Sequence, residues 1–398
     1  MPHESVPQSV ATRTTMLRLT ACGCMFVFGM ILLLMGSLLP SLQFSYARAG
    51  NLGAFPLAGV LAATIVVGPL LDTWGVKPAL GLALALVAGG LAVLPAVHSY
   101  AGLAASALAY GLGGGLLNTA TNALVSDLSA SGRGAALNLL GFAFSAGAIS
   151  APLLMSSLGQ VSPWAALRWL AGGAALILVP VLVLRFPPPH QAHAGVRTLL
   201  QALNQPVVWL LGLLLFFESG SENCMFVWSG KIMAGLLGAS PQRANLALLG
   251  LGGSLGAGRL AAALWLRWVR GRQAIVLSAA AAAAGAVLVY QRMGLAWMLA
   301  GFAVLGLGMS AIFPTALGLA GDRFPRETGT VFGAIMTVAL VGGTAGPILG
   351  GRLAAGGLAR VLIVPITAAA MIAVLAGTLG GERLKAAPAG AWREEARA

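Results

Sequence analysis

Residues 206–229 read PVVWLLGLLLFFESGSENCMFVWS, twenty-four positions whose only charged side chains are Glu218 and Glu222. A helix needs about 20 apolar residues to cross a hydrocarbon core of roughly 30 Å, so this stretch is long enough to span a bilayer. A carboxyl group inside such a span is costly and points to function. Two of them, one helical turn apart, make this the first place to look for a site.

The same pattern recurs along the chain. Apolar spans are predicted near 19–42, 51–71, 78–97, 101–125, 134–158, 164–184, 206–229, 244–266, 273–290, 294–320, 329–351 and 358–379. With 58% hydrophobic and 8% charged residues and a mean hydropathy of +0.90, there is too little polar surface to cover a water-soluble globule of 398 residues. A membrane barrel would show short alternating segments, and none are seen. The fold class is an all-α polytopic membrane protein with twelve transmembrane helices. Its 55 glycines suit a lipid setting, where small residues let helix backbones pack closely.

The first apolar run is too long for a signal-peptide core and lacks a small-residue cleavage site, so it is expected to be the first permanent span. Cys22, Cys24 and Cys224 all fall within spans, where a lone C-x-C is a poor zinc site and apolar packing is the simpler role. No metal constellation and no cofactor site is expected. The run GLGGSLGAG at 250–258 lacks the spacing and the preceding strand of a dinucleotide loop.

The net charge of +13 does not read as nucleic-acid binding, because the basic residues are spread over loop after loop. One side carries Arg13, Arg18, Lys77, Arg133, Arg185, Arg197, Arg267, Arg270, Arg272, Arg323, Arg326 and Arg383 among others. The opposite side carries seven: Arg48, Arg168, Lys231, Arg243, Arg292, Arg352 and Arg360. The positive-inside bias, with an even number of spans, puts both termini in the cytoplasm of a plasma (inner) membrane protein.

The segment RFPPPHQAHAGVRTLLQALNQP from Arg185 to Pro206 is the longest polar interval in the middle of the chain. It divides the sequence into an N-terminal six-helix bundle (1–186), a cytoplasmic central loop (187–205) and a C-terminal six-helix bundle with a short tail (206–398). An offset of 195 residues aligns the halves: Gly111 with Gly306, Gly113 with Gly308, Asp127 with Asp322, Gly134 with Gly329, Gly147 with Gly342, Pro152 with Pro347 and Lys77 with Arg272. Duplicated six-span units are the plan of transporters whose bundles rock about a central site near the bilayer midplane.

GPLLDTWGVKP, residues 68–78, resembles the loop motif G-x-L-x-D-R-x-G-R-K of the major facilitator superfamily. Gly68, Leu70, Asp72, Gly75 and Lys77 match it, while Thr73 and Val76 replace two basic positions. GGTAGPILGG, residues 342–351, fits the superfamily pattern G-x-x-x-G-P-x-x-G-G and contains Gly346 and Pro347, and its repeat partner GAISAP contains Pro152. Proline removes a helix hydrogen bond and neighbouring glycines leave room for bending, so Pro152 and Pro347 are candidate hinges or packing notches. Asp127 with Arg133 and Asp322 with Arg326 repeat an acid followed by a base, and are candidate gating ion pairs. The resemblance implies the major facilitator fold of two pseudo-symmetric six-helix bundles. It also implies secondary transport rather than enzymatic activity, with spans one, four, seven and ten lining a cavity.

Within the superfamily, GSLLPSL (36–42), NLLGFAFSAGA (138–148) and GSENCMFVW (220–228) look most like the fucose-permease-type branch. That branch has a similar glycine, glutamate and tryptophan in span seven, here Gly220, Glu222 and Trp228. Its proton-coupling acids of spans one and four have no counterpart, because span four offers Asn118, Thr119, Thr121 and Asn122 instead.

At 1.5 Å per residue from Pro206, Glu218 lies about 18 Å and Glu222 about 24 Å into the membrane. Two carboxylates four residues apart in low dielectric cannot both ionise cheaply, so one is protonated or paired with a cation. Arg259 in span eight is placed to reach toward Glu218. Glu222, Glu218, Asn118, Asn122 and Trp228 are therefore the candidate substrate and proton ligands. The expected function is alternating-access transport of a small polar, sugar-like solute, coupled to protons, by a monomer in the lipid bilayer. A proton-driven efflux antiporter for amphipathic drugs and a transporter-like receptor are the alternatives.

Overall fold

Among the described residues, twelve long helices appear where the apolar spans were read. The computed structural model describes residues 8–97, 99–129, 133–157, 163–188, 204–266, 268–324 and 328–379. Helix α1 has two segments, Gln8–Leu32 and Leu34–Leu38. It is followed by α2 (Tyr46–Trp74), α3 (Val76–Val93), α4 (Tyr100–Leu128), α5 (Arg133–Ser157) and α6 (Pro163–Val183). The second half has α7 (Pro206–Leu237), α8 (Pro241–Trp265), α9 (Gly271–Gln291), a two-part α10 (Leu295–Met309 and Ile312–Arg323), α11 (Thr328–Ala354) and α12 (Ile363–Thr378). Among the described residues, eleven of these are long and apolar enough to cross a membrane. The exception is α8, which carries Arg243, Asn245 and Arg259. Most of the central segment, 189–203, lies outside the described residues.

Proline and serine account for the local departures from one helix per span. The sequence leads one to expect an unbroken helix over 294–320, but α10 is interrupted at Ser310–Ala311. Pro314 has no N–H to donate to the Ser310 carbonyl, and its ring crowds that oxygen. In α1 the Ser37 hydroxyl donates to the Leu33 carbonyl at 3.0 Å, and the helix ends in a 3-10 turn, Leu39–Ser41, that contains Pro40. Helix-bending of this kind is what serine back-bonding produces. Gly75, with φ of 81°, provides the left-handed residue that turns α2 into α3.

The duplication is visible in which helices pack. In the first half α1 packs on α5 and α6, α2 on α4, and α3 on α4 and α6. In the second half α7 packs on α11 and α12, α8 on α10, and α9 on α10 and α12. Glycines mark equivalent crossings. Gly111 of α4 has no room for a Cβ against the Pro56 carbonyl of α2, and Gly306 of α10 has none against the Leu251 carbonyl of α8. Gly147 of α5 is closed off in the same way by the Phe26 carbonyl of α1, and Gly342 of α11 by the Phe216 carbonyl of α7. Pro56 and Leu251 are themselves 195 residues apart, so the repeat extends to the partner helices.

The two bundles meet through α2 with α11 and through α5 with α8, a pair of seams related by the same repeat. They are joined most closely at the end where α1 and α7 finish. There Gly36 of α1 abuts the Phe226 carbonyl of α7, Gly53 of α2 abuts Val227, and Gly50 of α2 meets Gly351 of α11. One continuous apolar core runs through the first bundle and into this end of the second, including Phe226, Val227, Trp228, Leu248 and Phe302. At the other end the second bundle has a separate core built on Val208, Leu211, Ile275, Ile312 and Ile335. Along the α5–α8 seam, Ile149 neighbours Gly252 and Ser145 neighbours Gly256. One turn further, on the same helix faces, Phe142 and Leu260 are 57% and 64% exposed. The molecule is closed at one end and parted at the other.

Candidate functional site

Helix α7 forms the middle of the site because it has a different neighbour on each face. Gly220, Asn223 and Trp228 face α11, and Phe226 and Val227 face the first bundle. Glu222 lies one turn from Phe226 on the same stripe, just inside the point where α7 touches α1. Its carboxylate Oε2 is 3.4 Å from Arg259 Nη2 of α8, and both side chains keep some exposure. Among the described residues this is the only ion pair. The Arg259 Nε is buried and without a partner, so the guanidinium is only partly satisfied.

Glu218 lies one turn back on α7 and deeper in the second bundle. It is 1% exposed, in a small apolar enclosure made with Ser221, Ala279, Met309, Ile312 and Pro365, which draws in α9, α10 and α12. Its Oε1 has no hydrogen-bond partner. The sequence suggested Arg259 as a partner for Glu218, whereas the structure directs Arg259 to Glu222. The reason is where α8 sits: it brings Arg259 to the level of position 222, while position 218, one turn back, is enclosed by α9, α10 and α12.

Asn118 and Asn122 lie on α4 of the other bundle and are half-buried. Asn122 Nδ2 donates to the Asn118 carbonyl at 2.8 Å and to Asn118 Oδ1 at 3.1 Å, which ties the two amides together on one face. Trp228 is placed differently from the other ligands expected from sequence. It is fully buried, its indole N–H donates to the Pro347 carbonyl of α11 at 3.1 Å, and its ring lies 6.2 Å from that of Tyr46. That position fastens helices together rather than lining a solute path.

The residues expected to act in gating separate into several groups. Gly346 has no room for a Cβ against the Gly220 carbonyl, whereas Gly68 has nothing within 4 Å of that position. Pro152 and Pro347 sit inside α5 and α11. Lys77 donates to the Leu182 and Leu184 carbonyls at 2.7 and 3.0 Å, so it caps the end of α6 within its own bundle. Asp127 and Asp322 are exposed. The side chains of Asp72 and Arg133, and Arg326 altogether, lie outside the described residues. Sequence reading missed Lys231, which it placed in a loop and which instead reaches the first bundle from within α7. Among the described residues, no cluster of three or more His, Cys, Asp or Glu is arranged to hold a metal ion.

Two repeated six-helix bundles, parted at one end around a charged pair on α7 and α8, define a membrane carrier. Residues 18–347 match the profile of the Major Facilitator Superfamily, and the chain belongs to that family. It is therefore a multi-pass membrane transporter and not an enzyme. An uncharacterized MFS-type transporter of Yersinia pestis is 25% identical over 319 residues, 77% of each chain. Among solved structures, the nucleoside transporter NupG superposes with a TM-score of 0.75 at 14% identity, covering 93% of this chain and 98% of its own. The fucose:proton symporter FucP of Escherichia coli superposes with a TM-score of 0.63 at 20% identity, covering 91% and 98%.

Proposed function

We propose that this protein is a proton-coupled secondary transporter of the inner membrane, moving a small polar organic solute by alternating access as a monomer with both termini in the cytoplasm. With that orientation the closed end faces outward, and the conformation described above is inward-open.

The observation that carries the reading is the Arg259–Glu222 pair set beside the buried Glu218, whose Oε1 has no hydrogen-bond partner. A buried carboxylate without a cation is costly, so Glu218 holds a proton while Glu222 stays ionised against Arg259. A solute that takes hydrogen bonds from Arg259 breaks the pair. Glu222, left in low dielectric, then takes a proton from cavity water, so solute and proton are bound together. Asn118 and Asn122 of the first bundle carry amide groups that suit a hydroxyl-bearing solute. The named solutes of the structural relatives, a nucleoside and fucose, support a polar organic molecule over an amphipathic one.

The test has two stages. Purified protein is screened for thermal stabilisation by sugars, nucleosides, organic acids and cationic drugs, since a ligand that binds the folded state raises its stability by mass action. The best ligand is then followed into proteoliposomes under an imposed pH gradient. Stabilisation by a polar solute that accumulates with inward proton flow supports the reading; stabilisation by cationic drugs alone, with export against protons, overturns it.

A further inference from the structure

The closed end is held by a cation that the carrier site does not use. Lys231 lies on α7 nine positions beyond Glu222, and its Nζ crosses to the first bundle. It donates to the Leu42 carbonyl at 2.9 Å and to the Leu39 carbonyl at 3.2 Å. Both acceptors lie where α1 breaks into its terminal 3-10 turn. Within the turn the Leu39 carbonyl also accepts the Leu42 N–H at 3.1 Å, and the C-terminal end of a helix attracts positive charge. Pro40 within that turn packs against Gly230, and one turn back Gly36 meets the Phe226 carbonyl. Among the described residues no carboxylate pairs with Lys231.

These bonds join opposite bundles, so they exist only while the outer end is shut. Opening it withdraws the ammonium from two charge-assisted hydrogen bonds and returns the α1 carbonyls to water. We infer that Lys231 is the latch of the outer gate, a positioning residue that sets the ratio of inward-open to outward-open carrier. The inference rests on the alternating-access reading above. It also gives the α1 break a role: a continuous helix would have kept these carbonyls within its own ladder. Because the acceptors are backbone atoms, the latch depends on the shape of α1 and not on a second side chain.

The test uses the full-length protein with Cys22, Cys24 and Cys224 replaced by alanine and spin labels at Ala47→Cys and Ala355→Cys, exposed positions on the two bundles at this end. Distance distributions are recorded for the parent and for Lys231→Met, with Lys231→Gln as a second variant that keeps a neutral donor on a side chain one atom shorter. The parent is expected to show a dominant short distance and a minor long one. Lys231→Met should raise the long-distance population at least about tenfold relative to the short one, as the loss of even one bond to a charged donor would, and Lys231→Gln should raise it less. A parent with both populations and variants that match it overturns the latch and leaves the alternating-access reading standing. A parent with one unchanging distance with and without a pH gradient overturns both.

Discussion

Arg259 Nη2 lies 3.4 Å from Glu222 Oε2, although Glu218 on the same helix is the more deeply buried acid and forms no ion pair with it. The pairing divides the two carboxyl groups. Glu222 is tied to α8 at the space between bundles, and Glu218 is enclosed within one bundle. A shift of α8 against α7 breaks the pair, and the neighbouring α5–α8 seam is one of the two along which the bundles meet.

If the pair is an ion pair in low dielectric, removing one member should cost more than removing both. Arg259→Met leaves Glu222 unpaired beside Glu218 and should lower stability by about 2–3 kcal/mol, allowing for partial exposure. Arg259→Met with Glu222→Gln should recover most of that loss. Thermal unfolding in detergent measures both, and additive losses would show that the two residues do not interact.

The crossing of α7 and α11 predicts opposite outcomes for two glycines. Gly346→Ala sets a methyl against the Gly220 carbonyl and should cost about 1–3 kcal/mol by overpacking. Gly68→Ala meets nothing within 4 Å and should unfold at the temperature of the parent. Equal thermal stability of the two variants would contradict the crossing.

Trp228→Phe keeps one aromatic ring but deletes the indole N–H that holds the Pro347 carbonyl and leaves a small cavity in a fully buried site. The expected loss is about 2–4 kcal/mol of stability with solute affinity unchanged. A large drop in affinity without a drop in stability would put the indole in the solute path instead.

Much of the architecture was legible in the chain. Charge-free stretches gave the helices, and the 195-residue offset gave the duplication, because glycines at the tightest crossings must recur wherever the crossings recur. Pro314 was a visible reason for the break in α10, yet the span reads as one apolar run because a proline shifts backbone bonds without changing hydropathy. The two acids were identified by their cost in lipid. Which of them Arg259 meets was not legible, since 218 and 222 are separated by only about 40° of helix phase and the choice is made by where α8 sits. Trp228 resembled a ligand in type and spacing, but burial against α11 is decided by tertiary packing. Lys231 was read as a loop charge because the sequence gives no sign that α7 continues to Leu237.

The most direct measurement compares Glu222→Gln with the parent protein in proteoliposomes, for accumulation driven by a pH gradient and for solute counterflow without one. Coupling through Glu222 predicts that accumulation falls to the level of equilibration while counterflow persists, because the neutral amide still permits the bundles to exchange. Full pH-driven accumulation by Glu222→Gln would contradict it.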